Sequence, residues 1–169
     1  MAAELEAHPE VWNTITLRTE HAASPHREVD DIWVHYNPIE NYRGNMQAFN
    51  ESHVPEWYPV AKVLPAVKAC AQMLARKLGG ILGFVLITRI PPGKQVYPHV
   101  DQGWHARTHE KFCVCLKAMK AQAFCFEGEE LRSESGDIFM FQNQYPHWVR
   151  NESAEERISL IVCLDMRIR

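Results

Sequence analysis

At Gly79-Gly80 the hydrophobic period of this chain changes, and it does not change back. Ahead of the glycines, Val60, Val63, Leu64, Val67, Ala71, Leu74 and Leu78 recur in steps of three and four. That spacing lays an apolar stripe along one face of a helix over 60–78. Lys62, Lys68, Gln72, Arg76 and Lys77 cover the other face. Pro65 either starts the main helix or kinks it, and the glycine pair ends it. Behind the glycines, Ile81–Ile90 is an apolar, β-branched run of buried-strand length, broken by Pro91-Pro92-Gly93. Further strands are predicted over 111–119, 121–126, 137–142, 147–150 and 157–164, with turn residues between them. No helical pattern separates these strands, which argues against a parallel α/β arrangement. The pattern is that of a mainly β chain, a double-sheet sandwich or jelly roll, with the helix packed on the outside of a sheet.

The 169 residues suit one domain: an irregular N-terminal segment plus supporting helix over 1–80, and a jelly-roll core over 81–169. Pro9, Pro25, Pro38, Pro55 and Pro59 break up the first part, where short strands are predicted at 14–17 and 31–36. Composition excludes several classes. The net charge of -3 removes the usual electrostatic case for wrapping nucleic acid. No apolar run reaches the ~18 residues of a membrane span. The first ten residues are polar and acidic, unlike a secretory leader. The five cysteines form no CxxC pair, so reduced thiols in a cytoplasmic protein are expected.

His-x-Asp/Glu occurs three times, at His8-Pro9-Glu10, His26-Arg27-Glu28 and His99-Val100-Asp101. The first copy falls in a terminus expected to fray, the second in a proline-containing loop. The third follows the buried strand, where residues i and i+2 of an extended segment point the same way. His99 and Asp101 can thus share a metal ion, with His147, at the start of a later strand, as third ligand. Two histidines and a carboxylate on one face are the donor set of non-haem iron(II) oxygenases. The competing reading makes His99 a turn cap and His147 a core histidine. Ten residues beyond His147, Arg157 and Ser159 share a strand face. A guanidinium and a hydroxyl there suit a buried carboxylate; otherwise Arg157 pairs with Glu155, Glu156 or Asp165. Cys113 and Cys115 also share a face, as a thiolate pair or as buried thiols in a barrel wall. Trp104, His105 and Arg107 either line a mouth or cap the sandwich. Trp12, Trp33, Trp57 and Trp148 read as packing residues, and Lys117 and Lys120 as solvated ones.

Five blocks then fall into one order: 88–94, 98–103, 136–141, 147–151 and 157–159. Together, over about 81–165, they resemble the aspartyl/asparaginyl β-hydroxylase-like family of 2-oxoglutarate- and iron(II)-dependent dioxygenases. The opening segment 24–33 resembles short members of it. The resemblance implies a double-stranded β-helix, a cupin-like jelly roll. It implies that His99, Asp101 and His147 bind Fe(II), and that Arg157 and Ser159, with Thr88, hold the distal carboxylate of 2-oxoglutarate. Family members often place an Arg or His on the strand after the first ligands to meet the co-substrate. Here Lys111 stands in that place, or His105, Arg107 or His109 reaches in. The implied reaction uses O2 to hydroxylate a small molecule or a peptide, an amino acid or an Asp/Asn side chain, and releases succinate and CO2. Two rivals remain: a cupin-like metalloenzyme without 2-oxoglutarate, and a jelly-roll binding module.

Overall fold

The computed structural model describes residues 1–167. In chain order the elements are helix α1 (Ala2–Ala7), strand β1 (Asp30–Tyr36), helix α2 (Met46–Phe49), strand β2 (Glu56–Trp57) and helix α3 (Pro65–Leu78). Strands β3 (Ile81–Ile90) and β4 (Gln95–His99) follow, then helix α4 (Gly103–Thr108). The last strands are β5 (Glu110–Lys117), β6 (Gln122–Phe126), β7 (Glu129–Leu131), β8 (Ile138–Phe141), β9 (His147–Asn151) and β10 (Arg157–Asp165). One sheet has the order β2-β1-β3-β10-β5-β8 and the other β4-β9-β6-β7. From β3 onward the chain passes back and forth between the two, and every pairing is antiparallel. This is the expected mainly β double-stranded β-helix.

Strand β10 shows how the layers form. Ile158, Leu160, Val162 and Leu164 join a core cluster with Val67, Ala71 and Leu74 of α3. Arg157, Ser159 and Ile161 face the cavity between the sheets. Both faces are covered, so β10 reads as a nearly continuous apolar run. Each fully buried aliphatic side chain contributes about 1.5–3 kcal/mol, which holds a 14-residue helix that would be marginal alone. Pro65 starts that helix, and Gly79 ends it with a left-handed φ of 69°. Val63 of the expected stripe lies outside the helix and is exposed.

The N-terminal part is more ordered than its prolines suggest. Strand β1 pairs with β3 and extends the first sheet. The first ten residues do not fray: Leu5 is buried, and the Glu4 carboxylate accepts the Ala66 N–H at 2.9 Å, capping the start of α3. Residues 14–17 are turn and irregular backbone rather than strand, because Thr14 and Thr16 spend their hydroxyls locally on Val11 and Glu20. Strand β4 escaped prediction since it contains Pro98, which an edge strand tolerates. No helix among the described residues is long and apolar enough to cross a membrane.

Candidate metal centre

Residues His99 and His147 face each other across the β4–β9 pair. Each ends the same tripeptide, Tyr97-Pro98-His99 and Tyr145-Pro146-His147. The proline confines the tyrosine before it to extended backbone, which fixes its carbonyl. In both copies the histidine Nδ1 pairs with that carbonyl, at 2.8 Å for His99 and 2.9 Å for His147. A carbonyl only accepts, so Nδ1 carries the proton and Nε2 keeps its lone pair. Each Nε2 lies 3.7 Å from a different oxygen of Asp101. The ligand atoms of His99, Asp101 and His147 all lie within 4.8 Å of one another. The Asp101 N–H donates to the Asn143 carbonyl at 3.0 Å, tying this residue to the loop ahead of His147.

Protonation states suit a metal. Burial, then the neighbouring His147, pushes the His99 imidazole down to about 4. Burial likewise lowers His147. Burial would raise Asp101, but the Lys111 ammonium, 2.5 Å from its Oδ2, outweighs it and holds the carboxyl below its usual range. Two neutral imidazoles and an ionised carboxylate are what a divalent cation requires. An apolar wall of Phe124, Phe126 and Phe141 packs round His147.

The inner chamber in front of this cluster is also lined by Arg157, Ser159, Thr88 and Lys111. Arg157 is 1% exposed. Its Nη2 reaches the Ser133 hydroxyl at 3.1 Å and the Cys115 sulfur at 3.6 Å, while Nη1 is buried without a partner. The candidate salt bridges do not form. Glu155 and Glu156 pair with Lys117, and Asp165 pairs with Arg167. A buried guanidinium with no carboxylate partner among the described residues is costly, and buried polar atoms are normally satisfied. Ser159 sits beside the Cys113 thiol on the same wall. All the cysteines are free.

Thr88 lines the chamber but has spent its one proton: its hydroxyl donates to Asp31 at 3.0 Å and accepts from Arg18 at 3.3 Å. As the structure stands it is not a spare donor for a carboxylate. Of the residues weighed for the metal-proximal end, Lys111 lines the inner chamber and His105, Arg107 and His109 do not. His105 and His109 stack 4.0 Å apart against Gly83 of β3. A Cβ at Gly83 would lie 2.4 Å from the ring of His109, just past α4, and 3.1 Å from that of His105 on α4, so the glycine leaves room for the stacked pair.

Two chamber residues escaped the sequence reading. Arg18, just beyond the expected strand 14–17, forms an ion pair with Asp31 at 2.8 Å. His26, in the second His-x-Glu copy, packs its ring 4.7 Å from His99. The Tyr97 N–H donates to the Pro25 carbonyl at 2.8 Å and the Arg27 guanidinium covers the Tyr97 ring, which pins this loop to β4. The doubled Tyr-Pro-His was the available signal for the ligand pair. Nothing comparable marks Arg18.

The family profile described as Aspartyl/Asparaginyl beta-hydroxylase matches residues 2–166. A search of curated protein sequences finds no match. Among solved structures, an oxidoreductase of the 2OG-Fe(II) oxygenase family from Burkholderia pseudomallei is similar, with a TM-score of 0.58 and 11% identity, over 81% of this chain and 67% of that one. A predicted oxalate decarboxylase from Thermotoga maritima aligns with a TM-score of 0.42 and 15% identity, over 54% of this chain and 74% of that one.

Proposed function

Because the chain belongs to the aspartyl/asparaginyl β-hydroxylase family, we propose that it is an Fe(II)- and 2-oxoglutarate-dependent dioxygenase. The observation that carries this reading is Arg157: a buried guanidinium, one nitrogen unsatisfied, on the wall of the chamber that His99, Asp101 and His147 close. The Burkholderia pseudomallei neighbour, a 2OG-Fe(II) oxygenase family protein by its description, shares the fold. His99, Asp101 and His147 supply the metal's protein ligands. Iron and 2-oxoglutarate, when bound, convert O2, the keto acid and a C–H bond into succinate, CO2 and an alcohol.

The protein's own part is placement. Arg157 presents a planar fork to the distal carboxylate, and Ser159 offers a hydroxyl beside it. Lys111, which neutralises Asp101 in the structure, meets the keto acid at its metal-proximal end. Phe124, Phe141, Val149 and Ile161 keep the chamber wall apolar and exclude water. The Tyr97 and Tyr145 carbonyls hold both imidazoles in the tautomer that leaves Nε2 free to ligate. The family suggests an amino acid, or an Asp or Asn side chain of a peptide, as substrate.

The test is anaerobic addition of Fe(II) and then 2-oxoglutarate to the apo protein, followed by visible spectroscopy. A weak charge-transfer band that needs both additions is expected. Metal binding with no response to the keto acid would replace this reading by a cupin-like one, and no metal binding would leave a binding module.

A further inference from the structure

The inner chamber shares a wall with an outer one. Arg18, His26, His99, Asp101 and Lys111 line both. Beyond them the outer chamber runs between Trp33, Tyr36, Phe84 and His105. Three polar groups on its walls are unspent. Arg18 uses Nε and Nη2 on Asp31 and Thr88, which leaves Nη1 with no protein partner among the described residues. The buried Nδ1 of His26 and the buried indole N–H of Trp33 also lack partners. Arg18 Nη1 and the Trp33 indole can only donate, and the His26 imidazole donates from whichever nitrogen carries its proton. The one carboxylate on the outer walls is Asp101, which belongs to the metal site and faces Lys111. A cationic substrate group would find no counter-charge here, whereas an acid finds Arg18.

We propose that the outer chamber takes a substrate whose carboxylate sits on Nη1 of Arg18, with His26 and Trp33 as supporting donors, and whose apolar body lies against the aromatic wall of Trp33, Tyr36 and Phe84. Arg18 is thereby the residue that selects acids over amides and amines. Asp31, with a fully buried side chain, holds the guanidinium in place from its other edge. The assignment rests on the dioxygenase reading for its orientation toward the metal cluster, but its binding chemistry does not need turnover.

The experiment measures binding of phenylacetate, 3-phenylpropanoate and 4-phenylbutanoate, and of their primary amides, to the full chain by calorimetry. It is run with and without Mn(II) and N-oxalylglycine, an inert relative of 2-oxoglutarate. At least one acid should bind, and its amide tenfold or more weakly. Arg18→Lys, which keeps the charge opposite Asp31 but loses the free edge, should weaken the acid about tenfold. The double exchange Arg18→Gln with Asp31→Asn keeps a neutral hydrogen-bonded pair and should abolish the preference for acid over amide. Trp33→Phe, which removes the unbonded N–H together with part of a buried ring, should weaken the acid severalfold more than its amide and lower the melting temperature through lost packing. Three outcomes overturn the assignment: no acid binds, acid and amide bind alike, or the preference survives the double exchange. Acid binding lost in Arg157→Ala but kept in Arg18→Lys overturns it too, by placing the acid in the inner chamber. If the acids bind as expected and Mn(II) with N-oxalylglycine does not, the dioxygenase reading fails alone.

Discussion

Two arginines line the same chamber and come from different parts of the chain. Arg18 belongs to the N-terminal segment and meets Asp31, a carboxylate with no exposed side-chain surface. Arg157 opens β10, in the middle of the larger sheet, and meets only a hydroxyl and a thiol. The first charge is largely answered by the fold. The second is carried into the interior unanswered, which costs stability unless a ligand later completes it. An internal ion pair thus fastens the N-terminal layer together, Arg18 to Asp31 of β1, and leaves one guanidinium edge free, whereas the whole charge of Arg157 must be answered from outside the chain.

The largest expected effect lies outside both arginines and sharpens the contrast between them. His147→Ala should weaken Fe(II) binding by more than about 100-fold and abolish turnover, while the fold and the stability roles of Arg18 and Arg157 persist. Iron content after dialysis and circular dichroism check this, and a variant with full iron and activity refutes the ligand assignment. Next, Asp31→Ala should strip Arg18 of its partner. Breaking a buried pair costs on the order of 3–5 kcal/mol, and the lower figure is expected here because Arg18 is 21% exposed. Urea unfolding reads the loss directly; unchanged stability would mean the pair is not what fastens the layer.

Arg157→Ala should behave in the opposite way. 2-Oxoglutarate affinity should fall by roughly 30- to 150-fold, or about 2–3 kcal/mol, with melting temperature unchanged or raised. Arg157→Lys should recover part, because an ammonium lacks the planar fork. A variant that binds the keto acid normally and melts earlier would erase the distinction between the two arginines. The smallest effect is one of pH. A hydrogen bond from Cys113 lowers the Cys115 thiol, burial opposes it, and Ser133 and Arg157 draw it down further, to about 6. A carboxylate arriving at Arg157 disfavours a thiolate beside it, so binding takes up a proton. Affinity for 2-oxoglutarate should therefore drop severalfold as pH rises from 5 through 7. Cys115→Ser should flatten that slope; an identical slope in the serine variant removes the thiol from the argument.

The β-helix half was legible because its signals are local. Ile81–Ile90 has the same bounds in sequence and structure, and β10 extends the expected 157–164 by one residue. His99 and His147 were readable because each lies at the end of its own strand; Asp101 was expected on strand period, but it lies two residues beyond β4 and is held beside them by the Asn143 carbonyl. The N-terminal half was not. The partners of Arg18, Asp31 and Thr88, are 13 and 70 residues away, and no spacing rule reaches that far. Glu4 capping α3 is equally invisible, since it joins positions 62 apart. Thr88 was assigned to the co-substrate by its place on β3, and only the packed structure reveals that Asp31 has claimed its proton.

The paired Tyr-Pro-His segments make part of the metal cluster portable. Each imidazole is oriented by the carbonyl two residues before it, and the two tripeptides meet in a single antiparallel ribbon through the His99–His147 register. The ring tautomers are set locally, but the seat of the ribbon is not: the Pro25 carbonyl holds Tyr97 and the Asn143 carbonyl holds Asp101. An engineer transplanting the ribbon, with Asp101 following the first copy, would therefore have to carry those two anchors with it for the ligands to arrive already aimed.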